Sequence, residues 1–483
     1  AACGIGIPLR FTSYEFWLFF LIVALLFYLL PRRAGWYVLL VASYYFYARW
    51  NAWYVVFLWI LTVSDFAIGI WLARARETGR HSRLLLGAGI AANLAFLGTF
   101  KYLNFASSTV AALVGMHQNP WLVNLFVPIG ISFHTFQSIS YLADVYRGRT
   151  PAVRKLFDYA LYLAFFPQLL AGPIVRAGLF FGEFFTWRVP GPDDVTYGLA
   201  RAGFGLLKKT AIADQFAAVA NSYFDSIASH PGAPAAWSAL FAFSMQIYFD
   251  FSGYSDIAIG CARLLGFVFP ENFNMPYLAT SIGDFWHRWH ITLSTWLRDY
   301  LYIPLGGSRH GLLATLRNLM LTMLLGGLWH GPQWTFVAWG GFHGAMLCLE
   351  RILGIDRPSK PVLSGVEGPR GLVTLGRVVL TFLIVTLGWV LFRASSFSVA
   401  LTVYRALFAG GPGAPLLGGW NAVLAAGIIA YGGVRLLLDR WKIAPDWFGL
   451  RPGLQAGALA ALLLALQLFS WPGPSPSFIY FKF

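Results

Sequence analysis

Long apolar runs, each about the length of a membrane span and separated by short polar loops, recur from one end of this chain to the other. No other feature limits its fold as tightly. A helix that crosses a bilayer needs roughly 20 mostly apolar residues. Candidate runs lie at 14–30, 35–48, 52–73, 84–105, 121–142, 156–174, 235–267, 316–349, 372–391, 422–438 and 454–469. The 316–349 run is long enough for two helices. With no water to satisfy its backbone, such a run must be helical. The sum predicts an all-α polytopic membrane protein of about ten to twelve spans.

Charge supports this. Only 11% of the 483 residues are charged, against about 25% in soluble domains. Charge this sparse cannot cover a water-soluble globule. The net charge of +15 is dispersed and does not suggest nucleic acid. Arg32-Arg33, the basic residues from Arg74 to Arg83, and those from Arg147 to Lys155 follow alternate apolar runs, and the loops between are nearly uncharged. That is the positive-inside pattern, which places the N-terminus outside and these three loops in the cytoplasm. Aromatic residues crowd segment ends, as at Trp36-Tyr37 and Tyr44-Tyr45-Phe46-Tyr47, in keeping with interfacial belts and with plain packing. Cys3, Cys261 and Cys348 are too scattered for a disulfide framework. Insertion is expected to be directed by the first span rather than by a cleaved signal peptide.

Three stretches break the regularity. Between Arg176 and Lys209 the apolar pattern degrades: Pro190-Gly191-Pro192 marks a loop, and Lys208-Lys209 interrupts the next apolar face. Residues 281–309 are aromatic and charged at once, which predicts an interfacial or re-entrant segment. Residues 351–370 and the tail from Pro472 carry proline and glycine but no periodicity. There is no internal repeat of the kind that builds many transporters, no P-loop and no dinucleotide fingerprint.

Polar residues gather in the middle third. Five of the nine histidines (His287, His290, His310, His330, His343) fall within 57 positions. His330 stands in Gly326-Gly327-Leu328-Trp329-His330-Gly331-Pro332. Pro332 has no N–H to bond the carbonyl of Leu328, so a helix breaks there. An ionisable group at such a break is a functional-site candidate. Helical spacing from Ser281 would put Asp284, His287, His290, Ser294 and Arg298 on one polar face, with Trp286, Trp289 and Trp296 as a membrane-facing anchor; the same face could also be a salt-bridged interfacial helix. Gln246, Asp250 and Tyr254 form a second stripe, and the arginines or histidines of 284–298 are plausible partners for Asp250. His134 reads as a core histidine. A metal site on His287, His290, His330 and Asp284 is not expected, because membrane metal enzymes carry more histidine boxes. No elbow-type nucleophile is present. A histidine base suits deprotonation of an alcohol attacking an acyl carbonyl.

The run Phe285-Trp286-His287-Arg288-Trp289-His290-Ile291-Thr292-Leu293-Ser294, continuing through Trp296, Arg298 and Tyr300 to Pro304-Leu305-Gly306-Gly307, resembles the signature of bacterial membrane-bound O-acyltransferases. Gly327-Leu328-Trp329-His330-Gly331, 40 positions after His290, resembles that family's second signature. Tyr248 to Asp256, Phe166 to Ile174 and Pro128 to Arg147 resemble it too, so the likeness runs along nearly the whole chain as one domain, 1–483, with core motifs within 128–350. The resemblance implies about eleven spans with re-entrant segments around a central funnel. It implies His330 as the essential histidine and His290 as its companion. The polar stripes and the tryptophan beside His330 add substrate-binding or supporting candidates: Asp284, His287, Ser294, Arg298, Gln246, Asp250, Tyr254 and Trp329. On this basis His330 is expected to act as base and His290 to orient the acyl group or stabilise an oxyanion. The acyl donor would be acetyl-CoA or another acyl thioester arriving from the cytoplasm, with no bound cofactor or metal. The acceptor would be an extracytoplasmic polysaccharide or acyl-accepting protein, reached across a bacterial inner membrane. Within the family the alginate O-acetylase type is most similar. D-alanyl transfer to teichoic acid is the nearest alternative, and a lipid-linked sugar transporter is the alternative of another class.

Overall fold

The structure, a computed structural model, describes residues 8–79, 82–116, 118–125, 127–170, 172–355, 370–410, 413–440, 447–471, 476 and 478–479. Expectations on Cys3, on most of the 351–370 loop and on 472–475 lie outside the described residues. Among the described residues all regular structure is helical. The chain divides into two units, Ala1–Ala202 with Tyr254–Pro270, and Gly203–Gly253 with Glu271–Phe483.

The first unit opens with α1 (Tyr14–Leu29), α2 (Arg32–Ala48) and α3 (Ala52–Thr78). Pro31, which cannot continue α1, stands at the start of α2, and the Asn51 side chain caps α3 by accepting from the Trp53 N–H at 2.9 Å. Helices α4 (Ser82–Leu97) and α5 (Leu103–Leu113) are joined by a π turn at Gly98–Tyr102. The predicted 84–105 run is thus one span of 32 residues.

The predicted 121–142 span is not formed. Described residues from 118 to 130 are non-helical, and the helix α6 runs Ile131–Arg147. Pro128 cannot donate, and Gly130 sits at φ +80, from which its carbonyl receives the first helical bond from His134. The 156–174 run is broken too, into α7 (Leu156–Ala164) and α8 (Phe166–Leu169). Pro167 cannot bond the carbonyl of Leu163, and the Phe166 N–H turns instead to Ser43 Oγ at 3.2 Å. Where the sequence pattern degrades, α9 (Ala177–Phe185) and α10 (Pro192–Leu207) nevertheless form. Tyr254 ends up here, stacked on Phe11 at 5.6 Å.

In the second unit a π turn, Lys208–Ala213, leads into α11 (Asp214–Asp225). Helix α12 (Ala233–Leu264) belongs to this unit as far as Gly253. Two short helices follow, α13 (Ile282–Arg288) and α14 (Ile291–Leu297), neither long enough to span, as the mixed composition of 281–309 predicted. Then come α15 (Gly311–His330), α16 (Trp334–Leu353), α17 (Arg370–Arg393), α18 (Phe397–Leu407), α19 (Gly419–Arg440) and α20 (Pro452–Phe469).

Among the described residues, five helical stretches are long and apolar enough to cross a membrane: Ala52–Thr78, Ser82–Leu113, Gly311–His330, Val373–Arg393 and Pro452–Phe469. Their outward faces stay apolar; on α20, Leu463, Leu464 and Leu468 are all exposed. Continuous apolar surface of this kind suits lipid, not water, as expected of an integral membrane protein.

Candidate active site

The site begins with a close helix crossing. Gly327 on α15 faces Gly340 on α16, and a Cβ at either would collide with the other helix's backbone, at the Phe336 or Met323 carbonyl. Two hydrogen-only side chains therefore set the backbone separation. Helix α15 stops at His330, as Pro332 predicted, and α16 restarts at Trp334. Gly331 has φ −169, open to any residue. Its requirement is spatial, because the Phe336 ring lies where its Cβ would be.

This crossing buries His330 against aromatic rings. The imidazole meets Trp329 at 5.0 Å, Trp339 at 5.0 Å and Phe392 at 5.2 Å, all nearly edge-to-face. Trp329 also lies 6.0 Å from the ring of His290. The two histidines thus share one indole wall. Trp339 continues the series to His343, 4.9 Å away and fully buried.

His290 is held by a different device. The sequence predicted one helix through 281–298; the structure breaks it at Trp289 and His290. His290 adopts φ +42, ψ 54, a left-handed conformation that costs a non-glycine residue roughly 1–2 kcal/mol. The loop before α13 splints the break. Asn274 N–H bonds the Arg288 carbonyl at 2.9 Å, and Ile291 N–H bonds the Asn272 carbonyl at 2.9 Å. Asn272 Oδ1 accepts from Thr292 N–H at 3.3 Å and Thr292 Oγ1 at 2.9 Å, and lies 3.1 Å from His290 Nδ1. Phe251 stands edge-on to the imidazole at 4.7 Å. Burial lowers the His290 pKa to about 3, so the ring is neutral.

The break scatters the predicted polar face. Asp284 bonds Arg288 at 2.7 Å and accepts from Thr280 N–H at 3.0 Å, serving the start of its own helix. His287 is exposed, with Nδ1 2.7 Å from the Gly283 carbonyl. Ser294 Oγ donates to the Trp289 carbonyl at 3.1 Å, across the break. Arg298 is exposed and pairs with Asp299 at 2.7 Å. The tryptophan anchor is corrected as well. Trp289 and Trp296 are buried, and Trp286 packs on Trp339 at 5.7 Å and His343 at 5.3 Å. The tryptophans of α13 and of the break after it pack on neighbouring rings, so they cannot face lipid as such an anchor.

Asp250 does not pair with the 284–298 segment. It meets Lys209 Nζ at 2.9 Å and accepts from Ile479 N–H at 2.8 Å. Lys209 also binds Asp214 at 2.7 Å and the Pro476 carbonyl at 3.1 Å. The lysine that seemed to interrupt an apolar face is the buried partner that Asp250 required. Gln246 is buried on the same helix, with Oε1 lacking a hydrogen bond among the described residues. Of the predicted set, the structure gathers His290, Trp329 and His330, and distributes the rest. His134 is buried in the first unit with Tyr47 at 5.7 Å, a core histidine as read.

Sequence reasoning missed Asn272, whose only signal was a polar Asn-Phe-Asn in an aromatic neighbourhood. It also missed Glu350, whose carboxylate receives Ile282 N–H at 2.5 Å and Gly283 N–H at 2.9 Å, anchoring the start of α13.

A profile described as the membrane-bound O-acyltransferase family matches residues 81–354. The probable alginate O-acetylase AlgI of Azotobacter vinelandii is 45% identical over 404 residues, covering 83% of this chain and 78% of that protein. The peptidoglycan O-acetyltransferase of Helicobacter pylori is 36% identical over 400 residues, covering 76% and 73%. The teichoic acid D-alanyltransferase of Bacillus subtilis is 28% identical over 236 residues, covering 46% and 59%. The helical architecture and these matches agree: the chain belongs to the membrane-bound O-acyltransferases, enzymes that transfer an acyl group to a hydroxyl.

Proposed function

We propose that this protein O-acetylates an exported or cell-surface polysaccharide, taking the acetyl group from acetyl-CoA or another acyl thioester on the cytoplasmic side of a bacterial inner membrane. The observation that carries the proposal is the pair of buried imidazoles, His290 and His330, on either side of Trp329. The reaction asks for such a pair. The acceptor oxygen attacks the thioester carbonyl carbon, a C–O bond forms, and one imidazole takes the hydroxyl proton. The second group polarises the carbonyl as its oxygen gains charge. The tetrahedral adduct then collapses: the C–S bond breaks and the thiolate leaves with that proton. Trp329, Trp339 and Phe392 would keep water from competing for the acyl group. No metal enters this scheme.

About eleven spans with re-entrant segments around a funnel would bring donor and acceptor to the histidines from opposite sides. The match to acetyl-transferring relatives over most of the chain favours acetyl transfer over D-alanyl transfer, for which the likeness covers under half of it. Membranes carrying the protein, given radiolabelled acetyl-CoA and an alginate oligosaccharide as probe acceptor, should label the acceptor. His330→Ala and His290→Ala, present at wild-type level, should each lower labelling by at least ~100-fold, the scale of a general base's contribution. Labelling at the wild-type rate in His330→Ala would refute the assignment. A transporter of lipid-linked sugar would move substrate without acyl turnover. A D-alanyl transferase would label from a D-alanyl carrier thioester but not from acetyl-CoA.

A further inference from the structure

We propose that a cavity at one end of the first unit binds the headgroup of an amine-bearing phospholipid, phosphatidylethanolamine. The cavity lies between the end of α9, the loop after it and the end of α12 that belongs to this unit, and it encloses about 270 Å3. Glu183, Trp187, Arg188, Asp194, Arg263 and Gly266 line it. Its walls are fixed. Trp187 Nε1 donates to the Leu265 carbonyl at 2.9 Å. Gly266, at φ +85, lies so close to that indole and to the Arg188 carbonyl that a Cβ would strike both. Arg263 pairs with Asp194 Oδ1 at 2.7 Å, and Asp194 Oδ2 accepts from Gly191 N–H at 3.1 Å, so both oxygens of that carboxylate are engaged. Glu183 and Arg188 differ. Among the described residues, neither side chain has a hydrogen bond or an ion pair, and the two do not pair with each other.

A free carboxylate and a free guanidinium on one cavity suit a ligand that carries both charges. The ethanolamine headgroup supplies them: a phosphate for the fork of Arg188 and, across an ethylene bridge, an ammonium for Glu183. A glycerol headgroup brings the phosphate without the cation, and Glu183 then repels it. A choline headgroup has no N–H to donate to the carboxylate. The surroundings identify the ligand as a lipid. Phe185, Val189 and Val268 are exposed beside the charged groups, where acyl chains would lie. Arg32 stands over the Trp187 ring at 5.5 Å, and Tyr28 and Trp36 pack on the same indole at 6.3 Å and 5.5 Å. Basic and aromatic side chains gathered at segment ends mark a membrane interface, and the positive-inside pattern puts Arg32 on the cytoplasmic side. Size agrees. The cavity falls just below the roughly 300–1,000 Å3 of sites that enclose a drug-sized ligand, which leaves room for a headgroup and not for coenzyme A. This site stands apart from the acyl-transfer reading above.

The test uses the full chain, delipidated in detergent, and native mass spectrometry with dioleoyl phospholipids added one headgroup at a time. The tightest lipid on wild type should be phosphatidylethanolamine, held about fivefold or more above phosphatidylglycerol and phosphatidylcholine, the scale of a partly exposed charge contact. Glu183→Gln should erase the preference over phosphatidylglycerol. Arg188→Ala should weaken both of these lipids by about fivefold, and Arg188→Lys, which keeps the charge, should restore most of the loss. Neither side chain bonds within the described fold, so melting in lipid-free detergent should match wild type and separate lost binding from lost structure. The headgroup preference of wild type tests the proposal without any variant. Equal affinity for the three headgroups, or an unchanged preference in Glu183→Gln, would overturn it. So would glycerophosphoethanolamine, which lacks acyl chains, binding as tightly as the lipid, or acetyl-CoA displacing the lipid, because the cavity would then serve a soluble ligand.

Discussion

Lys209 offers the sharpest test of how the second unit is held together. Its ammonium lies 2.7 Å from Asp214 and 2.9 Å from Asp250, and all three side chains are at most 2% exposed. Lys209→Met deletes the cation that both carboxylates touch and keeps a similar apolar volume. Breaking a buried pair by removing one partner costs roughly 3–5 kcal/mol, because a charge is left in low dielectric. Asp250→Asn is milder. Lys209 keeps Asp214, and the amide oxygen can still accept from Ile479 N–H, so the expected cost is about 1–2 kcal/mol. The triple variant Lys209→Met, Asp214→Asn, Asp250→Asn removes every charge and should regain most of the loss, since neutral replacements of buried ion clusters are often well tolerated. Unfolding in SDS mixed micelles, followed by tryptophan fluorescence, gives the order. Lys209→Met should be the least stable, Asp250→Asn intermediate, and the triple variant closer to wild type than Lys209→Met. A Lys209→Met protein within about 1 kcal/mol of wild type would refute the reasoning, because the lysine would then not be balancing buried charge. So would an Asp250→Asn variant less stable than Lys209→Met. The same cluster binds the Pro476 carbonyl and Ile479 N–H, and Phe478 packs on Phe251 at 5.6 Å, so Lys209→Met should also speed trimming of the C-terminal tail by carboxypeptidase.

Three further outcomes follow from other parts of the unit. Gly327→Leu forces α15 from α16 at the Phe336 carbonyl and should abolish activity with a loss of stability of several kcal/mol, of the order of 3 or more, read by detergent melting and acetyl transfer together; normal melting would mean the helices do not cross so closely. Glu350→Ala leaves Ile282 and Gly283 N–H without their carboxylate and should cost about 1.5–3 kcal/mol, whereas Glu350→Gln should cost less, both measured by SDS unfolding. His290 stays neutral down to about 3 in the folded chain, while an unfolded imidazole protonates near 6.5. The unfolded state therefore binds more protons between these values, and stability is lost as pH falls below about 6.5. At pH 5 this one group removes about 2 kcal/mol relative to pH 7. His290→Asn, which also suits the left-handed backbone, should shrink the destabilisation between pH 7 and 5 by that amount; equal pH slopes would contradict a buried neutral ring.

Local chemistry decided much of this protein, and local chemistry is what a sequence displays. The helices at 52–78, 311–330 and 452–469 follow from apolar runs with no alternative way to satisfy their backbones. The end of α15 at His330 was legible because Pro332 cannot donate a hydrogen bond, whatever surrounds it. His290 was a candidate for its chemistry, but the break that positions it was invisible. No glycine or proline marks Trp289 and His290; the helix opens because Asn272 and Asn274, 15 to 18 positions earlier, engage the Arg288 carbonyl and the Ile291 and Thr292 N–H groups that continuous helix would have used. The partner of Asp250 was equally out of reach, since Lys209 lies 41 positions away and Ile479 lies 229, and a charged residue in an apolar run says only that it needs a partner. The sequence alone determined which groups had to be buried, because side-chain chemistry and periodicity are local. Which groups meet only the tertiary structure decided, because hydrogen bonds between distant segments are fixed by packing and not by spacing.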